Sequence, residues 1–177
     1  MKYLSALTIV LPCLAIGACA APVIEAASVT RDRVVFQDNI AAAQAGNAEA
    51  QFRVGNALCC AVISGQPFYD TEQAKEWLCR SAAQGYAPAM LRIARIHNGE
   101  LTDGVRVMRR AINAASQAAE SPVLAWTWFS FAADAGATDA ASRASDLYQR
   151  MSDQQRAAGQ RLRQDGIAAA SCRSAQG

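Results

Sequence analysis

Two copies of one pattern, set 51 residues apart, constrain this 177-residue chain more than any other feature. The first runs Ala74, Trp77, Leu78, Ser81, Ala82, Gly85, Ala89; the second runs Ala125, Trp128, Phe129, Ala132, Ala133, Gly136, Ala140. A fainter copy lies 39 residues before the first, where Ala43 to Ala50 echoes Ala82 to Ala89 around Gly46. Self-similarity at a period of roughly 20–50 residues marks stacked supersecondary units, none of which buries its apolar face alone. The motif residues recur every three or four positions, the periodicity of one helix face. The expectation is an all-α fold: an α-solenoid of antiparallel helix pairs. Its repeat core is expected at Trp77, Ala82, Gly85, Trp128, Ala133 and Gly136. Alanine suits such a design, being the best helix former and small enough to let helices approach closely.

Start and stop signals divide the chain further. Val34, Val35, Asp38, Asn39 and Ala42 open an amphipathic segment that stops at Gly46, and Ala48, Phe52, Gly55, Ala57 and Leu58 outline the next helix. Cys59 to Tyr69 reads as a loop, after which Asp70 and Gln73 have capping-box spacing. Pro88 suits the first turn of another helix and Gly99 its end; Ser121-Pro122 opens the helix of Trp126, Trp128 and Phe131. Ala140, Ala144, Leu147 and Met151 share a face, and Ser152 with Gln155 opens a final helix reaching about Arg163. Val105, Met108, Ile112 and Ala115 line one side of an inserted helix over 105–119, with Arg106, Arg109, Arg110 and Asn113 on the other. The expected helical repeat domain is 31–165, followed by a frayed tail over 166–177.

The N-terminus follows a different logic. A short basic start, an apolar run from Leu4 to Ile16 and small residues thereafter predict a signal peptide over 1–18, since a membrane span needs roughly 20 apolar residues. Ile16-Gly17-Ala18-Cys19 resembles the bacterial lipoprotein box, which implies acylation of Cys19 and a flexible tether over 19–30. An ordinary signal peptide with Cys19 incidental is the alternative. With Ala20, not aspartate, after the cysteine, the expected address is the periplasmic side of the outer membrane, held by the lipid anchor. Removing Lys2 with the signal lowers the formal charge from +2 to about +1, no basis for a nucleic-acid partner.

The repeated residues are similar to the Sel-one-like repeat family, relatives of the tetratricopeptide repeats. Its second helix reads Ala, two variable positions, Trp, aromatic or Leu, two variable positions, Ala-Ala, variable, Gly. Ala74, Trp77, Leu78, Ala82 and Gly85 fit this, as do Ala125, Trp128, Phe129, Ala132, Ala133 and Gly136. The likeness extends over roughly Val34 to Arg163. The first unit lacks the Trp-bearing pattern and the inserted helix is atypical. The resemblance implies a superhelix that binds proteins or peptides through its concave face, with no reaction and no cofactor.

Candidate chemistry is sparse. After export and lipidation Cys59, Cys60, Cys79 and Cys172 remain, and an oxidising compartment favours disulfides. Cys79 with Cys59 or Cys60 is the first choice, vicinal pairing being strained. Against it, a plain hairpin sets Cys79 level with about Phe52, about 10 Å from Cys59 at roughly 1.5 Å per residue. The cysteine spacing has no C-x-x-C, so no metal site is expected. His97 reads as a polar residue at a helix end rather than as a base for Cys79. Glu76, Glu100 and Asp103 could converge to give a glycosidase-like carboxylate pair, but no motif supports one. The sequence carries no nucleophile elbow, His-Glu-x-x-His or phosphate loop.

Arg92, Arg95, Arg106, Arg109 and Arg110, with Trp126 off the motif register, are the candidate partner-binding residues; a solvated helix surface is the plainer reading of the arginines. The expected function is a non-enzymatic scaffold or adaptor for an unidentified protein or peptide. The rivals are an envelope enzyme acting on cell-wall glycan or peptide, and a purely structural envelope protein.

Overall fold

Short polar side chains that compete for backbone N–H groups, at Asn47, Asp70, Ser121 and Ser152, start several of the helices. Asp70 accepts from the Gln73 amide at 2.9 Å and Ser121 from the Leu124 amide at 3.3 Å. Ser152 and Gln155 form a complete capping box. Each bond satisfies an amide that the helix itself leaves without a partner. The computed structural model describes residues 29–60, 68–100, 121–168, 170 and 172. Among them the chain is all-helical and no strand occurs. The helices are α1 (29–44), α2 (Ala48–Leu58), α3 (Thr71–Ala83), α4 (Ala87–His97), α5 (Pro122–Asp134), α6 (Ala140–Arg150) and α7 (Asp153–Asp165).

The sequence repeat is also a repeat of element boundaries. α2 and α4 each have 11 residues and begin 39 apart, while α3 and α5 each have 13 and begin 51 apart. Their stops match atom for atom. Gly85 N–H donates to the Ala82 carbonyl and Tyr86 N–H to Ser81; after α5, Gly136 N–H donates to Ala133 and Ala137 N–H to Ala132. Both glycines have positive φ, 83° and 87°. A β-carbon is strained there, so the motif glycine is required by the helix stop. Gly85 and Gly136 are exposed and Ala133 is only partly buried, so these three are not core as expected.

α3 lies along α2. Asp70 N–H, at the start of α3, reaches the Leu58 carbonyl at the end of α2 at 3.0 Å. Ser81 Oγ, near the end of α3, donates to the Ala48 carbonyl at the start of α2 at 2.6 Å. α4 packs against α5 as extensively as α2 against α3, and α5 also receives α6 and α7. Seven of the 13 residues of α5 are buried. A helix apolar on every side belongs at the centre of its domain.

Two apolar clusters result. Leu78, Ile93, Trp128 and Phe129 anchor the larger, which runs from α3 through α6 to Met151, Ala170 and Cys172. Ala43, Val54 and Ala74, with Phe36, Ile40 and Trp77 against them, form the smaller. The motif tryptophans therefore differ: Trp128 is 0% exposed in the larger cluster, whereas Trp77 is only partly buried, with the Arg80 guanidinium 4.7 Å from its ring centroid. On α1 the inward residues are Phe36, Ile40 and Ala43 at i, i+4 and i+7, and Val34 is exposed. The expected inward face was rotated because it began from Val34 and Val35.

The tail expected to fray is held at Ala170 and Cys172, both buried, and Trp128 Nε1–H donates to the Ala170 carbonyl at 2.9 Å. The signal segment, Cys19 and the inserted helix at 105–119 lie outside the described residues. No helix among the described residues is long and apolar enough to cross a membrane.

Candidate functional site

An open groove of about 690 Å³ lies between α5, α6 and α7. The three helices supply it in different ways. α5 contributes the edge of Trp126, Ser130 and Asp134; α6 contributes Ser145 and Tyr148; α7 contributes Gln160 and Arg163. α7 can lie this close to α5 because position 159 is glycine: a β-carbon there would sit 2.6 Å from Cε3 of Trp126. The groove's polar groups are already ordered. Arg163 Nη2 reaches both carboxylate oxygens of Asp134, at 3.0 and 2.7 Å, and Gln160 Nε2 donates to Tyr148 Oη at 2.9 Å. Arg156 lies over the Tyr148 ring, 5.1 Å from its centroid, and Trp126 packs against the same ring at 5.3 Å. The groove thus combines the Trp126 and Tyr148 rings with hydrogen-bonding side chains from all three helices.

The residues singled out from sequence go elsewhere. Trp126, a candidate partner-binding residue, is 7% exposed and packed against Gly159, so it has little free ring to offer the groove. Arg92 is 5% exposed. Its Nη1 donates to the Glu100 carbonyl and its Nη2 to Cys59 Sγ, each at 3.3 Å, so it ties the end of α2 to the end of α4 and is not a surface contact. Arg95 donates through Nε to Glu100 Oε2 at 3.2 Å. Arg143 Nη1 and Asn98 Nδ2 both donate to Glu100 Oε1, at 2.7 and 2.9 Å. Glu100 thereby clamps α4 to α6 where the chain leaves for the residues beyond 100. Charge segregation along the sequence did not reveal this, because the pairing carboxylate and Arg143 are 43 positions apart. Arg106, Arg109 and Arg110 lie outside the described residues.

The cysteine pairing also differs from the first choice. Cys79 is bonded to Cys172, with Cα atoms 5.5 Å apart, and Cys59 to Cys60. The register explains it: Ser81 lies beside Ala48, so Cys79 is near the end of α2 away from Cys59, and the returning tail meets it instead. Bonded in this way, Cys79 is no nucleophile for His97. His97 is the last residue of α4; burial first, and then the positive charge of Lys75, push its pKa down to about 4. Glu76 is exposed on α3, Glu100 is taken up by Arg95, Asn98 and Arg143, and Asp103 lies outside the described residues. No group of three or more His, Cys, Asp or Glu side chains gathers among the described residues in a way that could hold a metal.

Tyr148, Gln160, Arg163 and Asp134 were missed as site residues. Tyr148 adjoins the Ala144, Leu147 and Met151 face in the sequence, but Asp134, Gln160 and Arg163 come from other helices, and which helix crosses that face is not written locally. No family model, no curated protein and no solved structure matches the chain.

Proposed function

We propose that the chain is a lipid-anchored envelope scaffold whose antiparallel helix pairs stack as a short Sel-one-like solenoid and bind a protein or peptide. The observation that carries this reading is the double register: helix boundaries, buried alanines and helix stops recur at the same 39- and 51-residue intervals. Stacked repeats use their periodic positions to pack neighbours and leave aperiodic side chains for recognition. Tyr148, Gln160 and Arg163 are aperiodic in that sense and face an open groove. The groove's one lining carboxylate, Asp134, is neutralised by Arg163, which favours recognition over acid–base chemistry. Anchorage rests on the Ile16-Gly17-Ala18-Cys19 box.

Photo-crosslinking in intact cells tests the reading. A photoreactive residue at Ser145 or Gln164 in the groove is expected to trap a discrete partner, and the same residue at exposed Glu76 or Gln154 is not. Equal labelling at all four positions, or none at the groove, refutes it. Hydrolysis of purified cell-wall glycan or peptide by the protein would support the enzyme instead. Mass spectrometry of the mature N-terminus tests the anchor, the expected species being diacylated Cys19.

A further inference from the structure

We propose that the adjacent pair Cys59–Cys60 is a thiol–disulfide exchange site, an oxidant for thiols, whose product thiolate at Cys59 is held by Arg92. This goes beyond the reading above and uses no residue of the groove. The two disulfides differ in what they contribute to stability. Cys79–Cys172 joins positions 93 apart, and closing a long loop constrains the unfolded chain. Cys59–Cys60 joins neighbours that are already together in the unfolded chain, so it adds little of that kind. What this bond offers instead is chemistry.

Cys59 caps the C-terminal end of α2 and is only partly buried, whereas Cys60, Cys79 and Cys172 are each 5% exposed. An incoming thiolate therefore meets Cys59 first. Arg92 reaches the same sulfur from α4: its Nη2 lies 3.3 Å from Cys59 Sγ, and Nη1 donates to the Glu100 carbonyl at 3.3 Å, which orients the guanidinium. Arg92 is itself 5% exposed, so water screens its charge poorly. The neighbouring groups at that end of α4 leave this charge in place. The Glu100 carboxylate receives Arg95, Asn98 and Arg143, and His97, with its pKa lowered to about 4, is neutral at pH 7. The carbonyl end of α2 opposes Arg92, but only with partial charges. A guanidinium that donates to a sulfur favours the thiolate over the thiol, and stabilising the reduced state makes a disulfide more oxidising.

The step transfers two electrons from two thiols, or from one dithiol. A substrate thiolate attacks Cys59 Sγ and forms a mixed disulfide; the Cys59–Cys60 bond breaks, and Cys60 leaves as a thiolate that takes up a proton. A second substrate thiolate attacks the substrate sulfur of the mixed disulfide. The substrate disulfide forms, and Cys59 leaves as a thiolate beside Arg92. Of the two protons given up by the substrate thiols, one ends on Cys60 and the other in solvent.

The test equilibrates the full chain with glutathione buffers of graded ratio, then quenches with acid and maps free thiols by differential alkylation. Wild type is expected to gain label at Cys59 and Cys60 while Cys79–Cys172 stays bonded, because structural disulfides resist glutathione. Arg92→Gln is expected to make Cys59–Cys60 about tenfold harder to reduce, and Arg92→Lys, which restores the charge, to recover most of that difference. A reduced two-cysteine peptide in place of glutathione separates a polypeptide substrate from a small thiol by the faster exchange. A Cys59–Cys60 bond that resists glutathione as Cys79–Cys172 does, or that opens only as the helices unfold by circular dichroism, overturns the proposal. So does an unchanged equilibrium in Arg92→Gln. If that variant does not fold, the pH midpoint of Cys59 alkylation in reduced wild type takes its part: a value below the usual thiol pKa of about 8.5 is expected, and one at or above it overturns the role of Arg92. Crosslinking at Ser145 or Gln164 is read separately, so failure here leaves the groove standing and the converse holds.

Discussion

Replacing each motif tryptophan with alanine separates sequence equivalence from structural equivalence. Trp128 is 0% exposed, and its indole N–H is bonded to the Ala170 carbonyl. Burying an aromatic of this size removes about 200 Å² from water, roughly 5 kcal/mol at 25 cal/mol per Å². The enclosed cavity left by Trp128→Ala keeps most of that loss from being recovered, so the expected cost is about 4–5 kcal/mol. Trp77 is partly in water and has Arg80 over its face. The gap left by Trp77→Ala opens to solvent and closes more easily, which places its cost at about 2–3 kcal/mol. Urea unfolding followed by circular dichroism, with the m-value checked for constancy, measures both. Costs within about 0.5 kcal/mol of each other, or a larger one at Trp77, would refute the assignment of the two rings to unlike environments.

His97 should make stability depend on pH. Its pKa falls from 6.5 unfolded to about 4 folded, so the unfolded chain binds the proton more readily. The stability is present above about pH 6.5 and is lost as pH falls through 4. The shift corresponds to at most about 3 kcal/mol, less after allowance for partial exposure; His97→Asn should flatten the urea midpoint across that window, and an unchanged slope would count against the burial of the ring. Gly159→Ala sets two effects against each other. Helix propensity favours alanine by about 1 kcal/mol, but the new β-carbon would meet Trp126 at 2.6 Å; a net loss of about 1–2 kcal/mol is expected in thermal melts, and a gain would mean that α7 sits less tightly on α5. Cys172→Ser opens a cross-link between positions 93 apart and is expected to cost about 2–5 kcal/mol, with non-reduced peptide mapping first confirming the Cys79–Cys172 pair.

Helix content and helix limits were legible in the sequence because they are local. Asp70, Ser121 and Ser152 bond amides three residues away, and Gly85 and Gly136 close bonds that span five residues or fewer. Such devices act wherever the chain goes, so reading them needs no knowledge of neighbours. The repeat interval was legible for a related reason: equal spacing of equal signals yields helices of equal length, as in α3 and α5.

Which side of each helix faces inward, and what each polar group meets, was decided only by the tertiary arrangement. Trp77 and Trp128 occupy one motif position, yet α5 has α4, α6 and α7 around it, and that crowding buries Trp128. Arg92 and Arg95 read as surface charge until Glu100 and Arg143, from distant parts of the chain, come together at the end of α4. Cys79 had three possible partners in sequence terms, and the return of the tail past α3 selected Cys172. The chain determined its own helices and their rhythm through contacts of a few residues. The burial of Trp128, the Glu100–Arg143 pair and the Cys79–Cys172 bond depend on groups tens of residues apart, and they follow from packing.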